Sequence, residues 1–209
     1  MELNCPLPAE LTDIPSFDCG VRFDQIVKMA FQREGNSFPS LSGSGGITVQ
    51  ASWTPLLAAS DDTKIVVSNY FAGLVIPGSE GQFEGGNDNT TISGVRLYKG
   101  ENGVTVTGVM RNLPSDVRAA LRAYSQESLS SIGATNLTAY FFTRPGLEKI
   151  IALKVGTTYK GIPIYNFRIA SPDSQGFNAD NIINFSFDLL PDWDENVEVL
   201  SPAFNPLSL

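Results

Sequence analysis

A chain of 209 residues and 22.5 kDa fits one large domain or two very small ones, and is read as one, since single cores split only beyond about 250 residues. A net charge of −8 and a pI of about 4.5 leave no basic surface to release counterions from a phosphate backbone, which argues against specific nucleic-acid binding. The longest apolar runs, 71–76 and 150–155, fall far short of the roughly twenty residues of a membrane span.

Hydrophobic residues make up 42% of the chain and charged ones only 17%, below the roughly 25% charged residues of an ordinary soluble domain. The 19 Gly and 13 Pro are dispersed and not periodic, which suits many short strands joined by turns and gives an all-β expectation. The opening MELNCPLPAEL lacks the basic flank and apolar core of a secretion signal. Without a secretory context Cys5 and Cys19 are read as free thiols rather than a disulfide.

In chain order, residues 21–31 alternate between Val21, Phe23, Gln25, Val27, Met29, Phe31 and a more polar set, the period of a half-buried strand. The same alternation recurs at Ile47, Val49, Ala51 and Trp53, and β-branched or aromatic runs follow at 65–67, 104–109, 137–143 and 182–187. Pro55 suits a first helical position, so a short turn is expected to run from Thr54 through Leu56, Leu57 and Ala58.

Glu101-Asn102-Gly103 predicts a tight hairpin between strands 95–98 and 104–110, because Asn-Gly supplies positive φ. Arg144-Pro145-Gly146 predicts a second between 137–143 and 148–155. Pro163 removes a ladder donor and places 162–169 at an edge or bulge. One helix is predicted over 115–126, where Val117, Ala120, Leu121 and Tyr124 fall at i, i+3, i+4 and i+7, with Ser115 as N-cap and Arg118 and Arg122 facing water.

The organisation read from this is a single domain over 1–209, with an extended arm at 1–19, a projecting loop at 73–93 and an extended tail at 201–209. The loop, centred on GSEGQFEGGNDNTT, is too long and polar for a hairpin turn. Proline-rich ends of this composition fray in isolation, so contacts with neighbouring chains are expected to order both tails and loop.

The search for chemistry finds little. There is no histidine, which removes Ser-His and Cys-His pairs and the commonest general base and metal ligand. Gly43-Ser44-Gly45-Gly46 misses the dinucleotide fingerprint, and no G-x-x-x-x-G-K is present. The carboxylates Asp61/Asp62, Glu80/Glu84 and Asp192/Asp194/Glu195 read as solvated turn charges; a glycosidase would need two of them across a cleft. Residues 192–196 have the alternating oxygens of a calcium loop without its central Gly or terminal Glu. Asn89-Thr90-Thr91 and Asn136-Leu137-Thr138 match the glycosylation pattern by chance, given no secretion signal. The expectation is a protein that is not an enzyme, with no cofactor and no metal.

From Trp53 onward, the succession of DDTKIVVSNYFAGLVIPGSEGQF, a Gly/Asn-rich loop, GVRLYKGENGVTVTGVMRNLPSDVRAALRAYSQES, NLTAYFFTR and GIPIYNFRIASPDSQGFNADNIINFSFDLLPDWDENVEVLSP resembles tail-tube and neck-ring structural proteins of tailed bacteriophages, especially those infecting Bacteroides-type gut bacteria. The resemblance implies a mainly β fold, a β-sandwich or partly open barrel flanked by one α-helix. It also implies a virion protein, made in the host cytoplasm, that closes with copies of itself into six-fold or twelve-fold rings. Such rings meet other tail or neck proteins and pass DNA through a central channel without reading its sequence. On that basis Ile76, Glu80, Gln82, Phe83, Glu84, Asn87 and Phe204 are the expected subunit contacts, the long loop clasping the next copy. Two other classes stay open: a carbohydrate-binding or adhesin-like module using Trp53, Trp193 or Tyr70 as a sugar platform, and a carboxylate-dependent hydrolase.

Overall fold

The computed structural model describes residues 25–41, 46–86, 94–129, 137–174 and 180–209. Two antiparallel sheets pack face to face as a β-sandwich. The larger runs β14 (Val197–Leu200), β8 (Ile150–Val155), β7 (Leu137–Thr143), β1 (Ile26–Arg33), β2 (Val66–Val67), with β9 (Thr158–Lys160) on β8 and β10 (Ile162–Pro163) on β7. The smaller runs β11 (Tyr165–Ile169), β13 (Asn181–Leu189), β6 (Val104–Arg111), β3 (Ala72–Val75), with β12 (Asp173–Ser174) on β13. A separate two-stranded ribbon pairs β4 (Gly81–Glu84) with β5 (Leu97–Glu101).

The larger sheet is the middle layer, and the residues of β7 explain why. Every position from Leu137 to Thr143 is buried, because apolar material covers both faces and the strand reads as a continuous apolar run in place of an alternation. Leu137, Ala139 and Phe141 join Met29, Phe31 and Ile151 against the smaller sheet's Val106, Met110, Phe185 and Phe187. Tyr140 and Phe142 point the other way, into a second core with Ala30, Phe38, Ile47, Trp53 and Ile150. The smaller sheet has one dry face, so β6 alternates strictly, with Val104, Val106, Gly108 and Met110 inward.

Two helices are described, where the sequence suggested one and a short turn. Residues 47–53 do not form a strand: α1 spans Gln50–Ala58 with Pro55 inside it. The spacing of Trp53, Leu56 and Leu57 is helical, and it brings all three onto the second core. The wholly buried Trp53 indole donates from Nε1 to the Ile47 carbonyl at 2.8 Å, and its ring lies 4.6 Å from that of Phe38 and 5.3 Å from that of Tyr140.

The other helix, α2, starts at Ser115 as expected and continues to Leu129. Leu121 is buried, and Val117 and Tyr124 pack on the first core. Arg122 faces water, but Arg118 does not: it is half-buried, and its Nε has no hydrogen-bond partner among the described residues. Residue 118 lies one position from Val117, so it borders the apolar stripe instead of opposing it.

The Arg144-Pro145-Gly146 hairpin forms, with Phe141 opposite Ile151 and Phe142 opposite Ile150. The Glu101-Asn102-Gly103 hairpin does not. Neither Asn102 nor Gly103 takes positive φ, and β6 pairs with β13 over residues 104–111 while β5 pairs with β4. Gly103 allows the change of partner, since a Cβ there would stand 2.7 Å from the Leu189 carbonyl oxygen. Pro163 ends β10, after which Ile164 donates its N–H to Leu137 and the chain crosses to the smaller sheet.

The tail at 201–209 is held by its own chain, contrary to the expectation of neighbouring chains. Ala203 N–H donates to Thr48 O, and Lys28 Nζ donates to the carbonyls of Leu207 at 2.9 Å and Leu209 at 3.1 Å. Pro206 and Leu207 are buried under the second core. The arm at 1–19, with Cys5 and Cys19, residues 43–45 of the Gly43-Ser44-Gly45-Gly46 stretch, and Asn89 and Asn136 lie outside the described residues.

Candidate functional site

Of the expected projecting loop at 73–93, the described residues 73–86 include built structure. After β3 the chain leaves the smaller sheet through residues 76–80, forms β4, and returns as β5. Gly81 pairs with Glu101, Gln82 with Gly100, Phe83 with Tyr98 and Glu84 with Leu97, with a bulge between Gln82 and Phe83. Gly100, at φ 131°, supplies the backbone conformation that this bulge requires and a side chain resists.

The root of the ribbon is tied down. Asn102 N–H donates to Glu80 O at 2.9 Å, Ser79 Oγ donates to the Glu101 carboxylate, and Gln82 Nε2 donates to Asn102 Oδ1. Lys99 pairs with Glu84 at 2.6 Å, an exposed contact of small energetic weight.

The ribbon's apolar content is unusual. All four residues of β4 and the first three of β5 are exposed, although Phe83 and Tyr98 stand at 56% and 60% exposure and Leu97 and Val95 at 53% and 65%. The Phe83 and Tyr98 rings lie 5.7 Å apart on one face, seated over Gly81, where a Cβ would come within 2.9 Å of the Phe83 ring. A two-stranded ribbon is marginally stable in water, and side chains of this size are normally covered.

Of the expected subunit contacts, Glu80, Gln82, Phe83 and Glu84 do lie together on the ribbon and its root. Asn87 lies outside the described residues. Ile76 is half-buried against the first core, and Phe204 packs on the second core as part of the tail. Sequence reasoning missed Val95, Leu97 and Tyr98, which the non-existent β5–β6 hairpin had absorbed; the signal was there in the polar Lys99-Gly100-Glu101 following them, unsuited to a core strand.

Beside the ribbon's root lies a groove of about 510 Å³, lined by Ile26, Leu74, Val75, Ile76, Pro77 and Trp193, with Gln25, Ser79 and Asp194 at its rim. The turn carrying Trp193 is closed by Glu195 N–H to Asp192 O and Val197 N–H to Asp194 O.

The remaining polar candidates are dispersed. Asp61 accepts from Thr63 N–H at 2.9 Å and from its hydroxyl, which holds the carboxyl below its usual range. Asp188 accepts from Thr105 Oγ1 at 2.6 Å and Asn166 Nδ2 at 2.7 Å. Among the described residues no three carboxylates or thiols gather as a metal would require, and no helix is long and apolar enough to cross a membrane. Trp53 is buried and offers no sugar platform; Trp193 packs on the first core, and Tyr70 is exposed with Lys28 Nζ 5.4 Å from its ring centroid.

The described residues thus define an antiparallel β-sandwich carrying a ribbon with exposed aromatic side chains. No family model and no curated protein matches the chain. Among solved structures, a chain from the cryo-EM structure of the anti-feeding prophage (AFP) baseplate, 6-fold symmetrised, aligns over 92% of this chain and 100% of its own, at 10% identity and a TM-score of 0.31. A likeness at that level transfers no role.

Proposed function

We propose that this chain is a structural virion protein that assembles with copies of itself into rings, as the wall of a phage tail tube or head-to-tail neck channel, and that it carries no catalytic activity. The observation that carries the reading is the ribbon: two largely exposed strands, bearing Phe83 and Tyr98 more than half uncovered, are not packed on either core by the described residues. A net charge of −8 suits a conduit, because like-charge repulsion keeps passing DNA from adhering while apolar contacts build the wall. The sugar-binding alternative loses one of its three candidate rings with the burial of Trp53.

Light scattering and negative-stain imaging test the proposal directly. Rings or short tubes at tens of micromolar protein are the expected result; a strict monomer at every concentration would overturn it.

A further inference from the structure

Resting on that reading, we propose that the Phe83–Tyr98 face of the ribbon enters the groove beside Trp193 of a second copy, so that copies join head to tail. The chain carries both halves of such a joint. The groove, about 510 Å³ and apolar along Leu74, Val75, Ile76, Pro77 and Trp193, is within the range of about 300–1,000 Å³ that buries a small organic ligand. It has room for two aromatic rings. The subunit's own ribbon does not fill it, since Phe83 and Tyr98 remain 56% and 60% exposed.

Area distinguishes this joint from a symmetric ribbon-to-ribbon contact. Four side chains, Phe83, Val95, Leu97 and Tyr98, are more than half exposed, which sets roughly 400 Å² of apolar surface on the ribbon and the residues leading into it. A flat two-fold contact uses one face of the ribbon and buries only about half of that. A stable interface takes about 800 Å² from each partner, and a ribbon reaches that only where walls rise around it. The groove supplies walls: β3 and residues 76–80 on one side, the turn at Trp193 and Asp194 on the other.

The geometry also sets the symmetry. The groove adjoins the ribbon through Pro77, Gly78 and Ser79, but neither Phe83 nor Tyr98 lines it, so the aromatic face and the groove are separate patches on one subunit. A copy whose ribbon is docked still offers its groove to a third. Contacts of this heterologous kind close into rings or run on as filaments, whereas a self-complementary patch stops at two.

The experiment is a mixing test with one variant of each half. Phe83→Glu places a charge on the ribbon face, and Val75→Arg fills the groove from an exposed position; thermal melts of both establish that the monomers stay folded, and Tyr98→Glu serves as a second ribbon variant. Each alone is expected to remain monomeric by sedimentation. Mixed one to one, they are expected to form a heterodimer and nothing larger, because one intact ribbon meets one intact groove.

A Val75→Arg protein that assembles like the parent would overturn the groove as receptor while leaving self-assembly standing. Folded variants that stay monomeric when mixed would overturn the head-to-tail arrangement. A parent chain that never assembles would instead remove the functional reading on which the inference rests.

Discussion

The tail at 201–209 and the ribbon built by β4 and β5 both set large apolar residues among polar ones outside the two packed sheets, yet the molecule treats them oppositely. The tail folds home: Leu207 enters the second core, and Lys28, only 8% exposed, fastens the carbonyls of Leu207 and Leu209. The ribbon projects, with Phe83 and Tyr98 touching chiefly each other. The difference lies in the presence of a complementary hole in the same chain. α1 and Phe38 leave a gap over the outer face of the larger sheet that Pro206 and Leu207 complete, whereas no described surface of the subunit closes over the ribbon.

If the tail belongs to the fold, the core beneath it must be worth a large share of a stability of roughly 5–15 kcal/mol. Trp53→Ala is expected to cost about 3–5 kcal/mol, from lost transfer energy and the cavity left among Phe38, Tyr140 and Phe142. A chemical-denaturation series measures it; a loss below about 1 kcal/mol would mean that the second core is loosely packed and the tail's attachment incidental.

The first core provides the next largest effect. Leu121→Ala removes a buried side chain from the α2 face that meets β11 and β7 and is expected to lower stability by about 2–5 kcal/mol. Arg122→Glu on the exposed face is expected to change it by no more than about 0.5 kcal/mol. A stable Leu121→Ala monomer with impaired assembly would move the interface from the ribbon to α2.

Much of the sandwich was legible because burial on one face imprints a period. β6, β7 and β13 fall where alternation or apolar density placed them, and α2 starts at its expected Ser115. Legibility failed where two periods overlapped: Ile47, Val49, Ala51 and Trp53 alternate, but Trp53, Leu56 and Leu57 are also helical neighbours, and a void over the larger sheet decided for α1. It failed again at Asn102-Gly103, where turn chemistry is local but strand pairing is not. The ribbon residues Glu80, Gln82, Phe83 and Glu84 were visible as a polar, Gly-rich interruption. Their partner Tyr98 was hidden, since nothing in the sequence states that β5 will choose the four-residue β4 over the eight-residue β6.

Lys28 gives a smaller, pH-dependent test of the tail. Burial lowers its native pKa from the ordinary lysine value of 10.5, so between the lowered native value and 10.5 the unfolded chain holds more protons at this residue and parent stability rises with pH. Below that window both states are protonated and the cost of burying the charge is constant. In Lys28→Met that cost disappears together with two hydrogen bonds, and the two effects offset to within about 1 kcal/mol at neutral pH. The variant should therefore lose ground to the parent as pH rises toward 10.5, in urea titrations at stepped pH, while amide exchange in 203–209 accelerates. An unchanged exchange rate would show that apolar packing alone secures the tail.

The smallest effect on the monomer belongs to the ribbon, and it is the one that tests the contrast with the tail most sharply. Replacing both Phe83 and Tyr98 with Ser removes a cross-strand aromatic pair of about 0.2–1 kcal/mol, but that energy holds β4 to β5 and reaches neither core. The global unfolding midpoint is expected to stay put, because the transition reports the sandwich and not a ribbon that opens separately. Amide exchange in residues 81–84 and 97–101 should be fast in the dilute parent and faster still in the variant. At concentrations where the parent assembles, protection there should rise in the parent alone, since a ribbon gripped between two copies can no longer open by itself. If the double replacement instead lowers the midpoint as Leu121→Ala does, the ribbon is part of its own subunit's fold, and the surface that joins copies must be sought elsewhere.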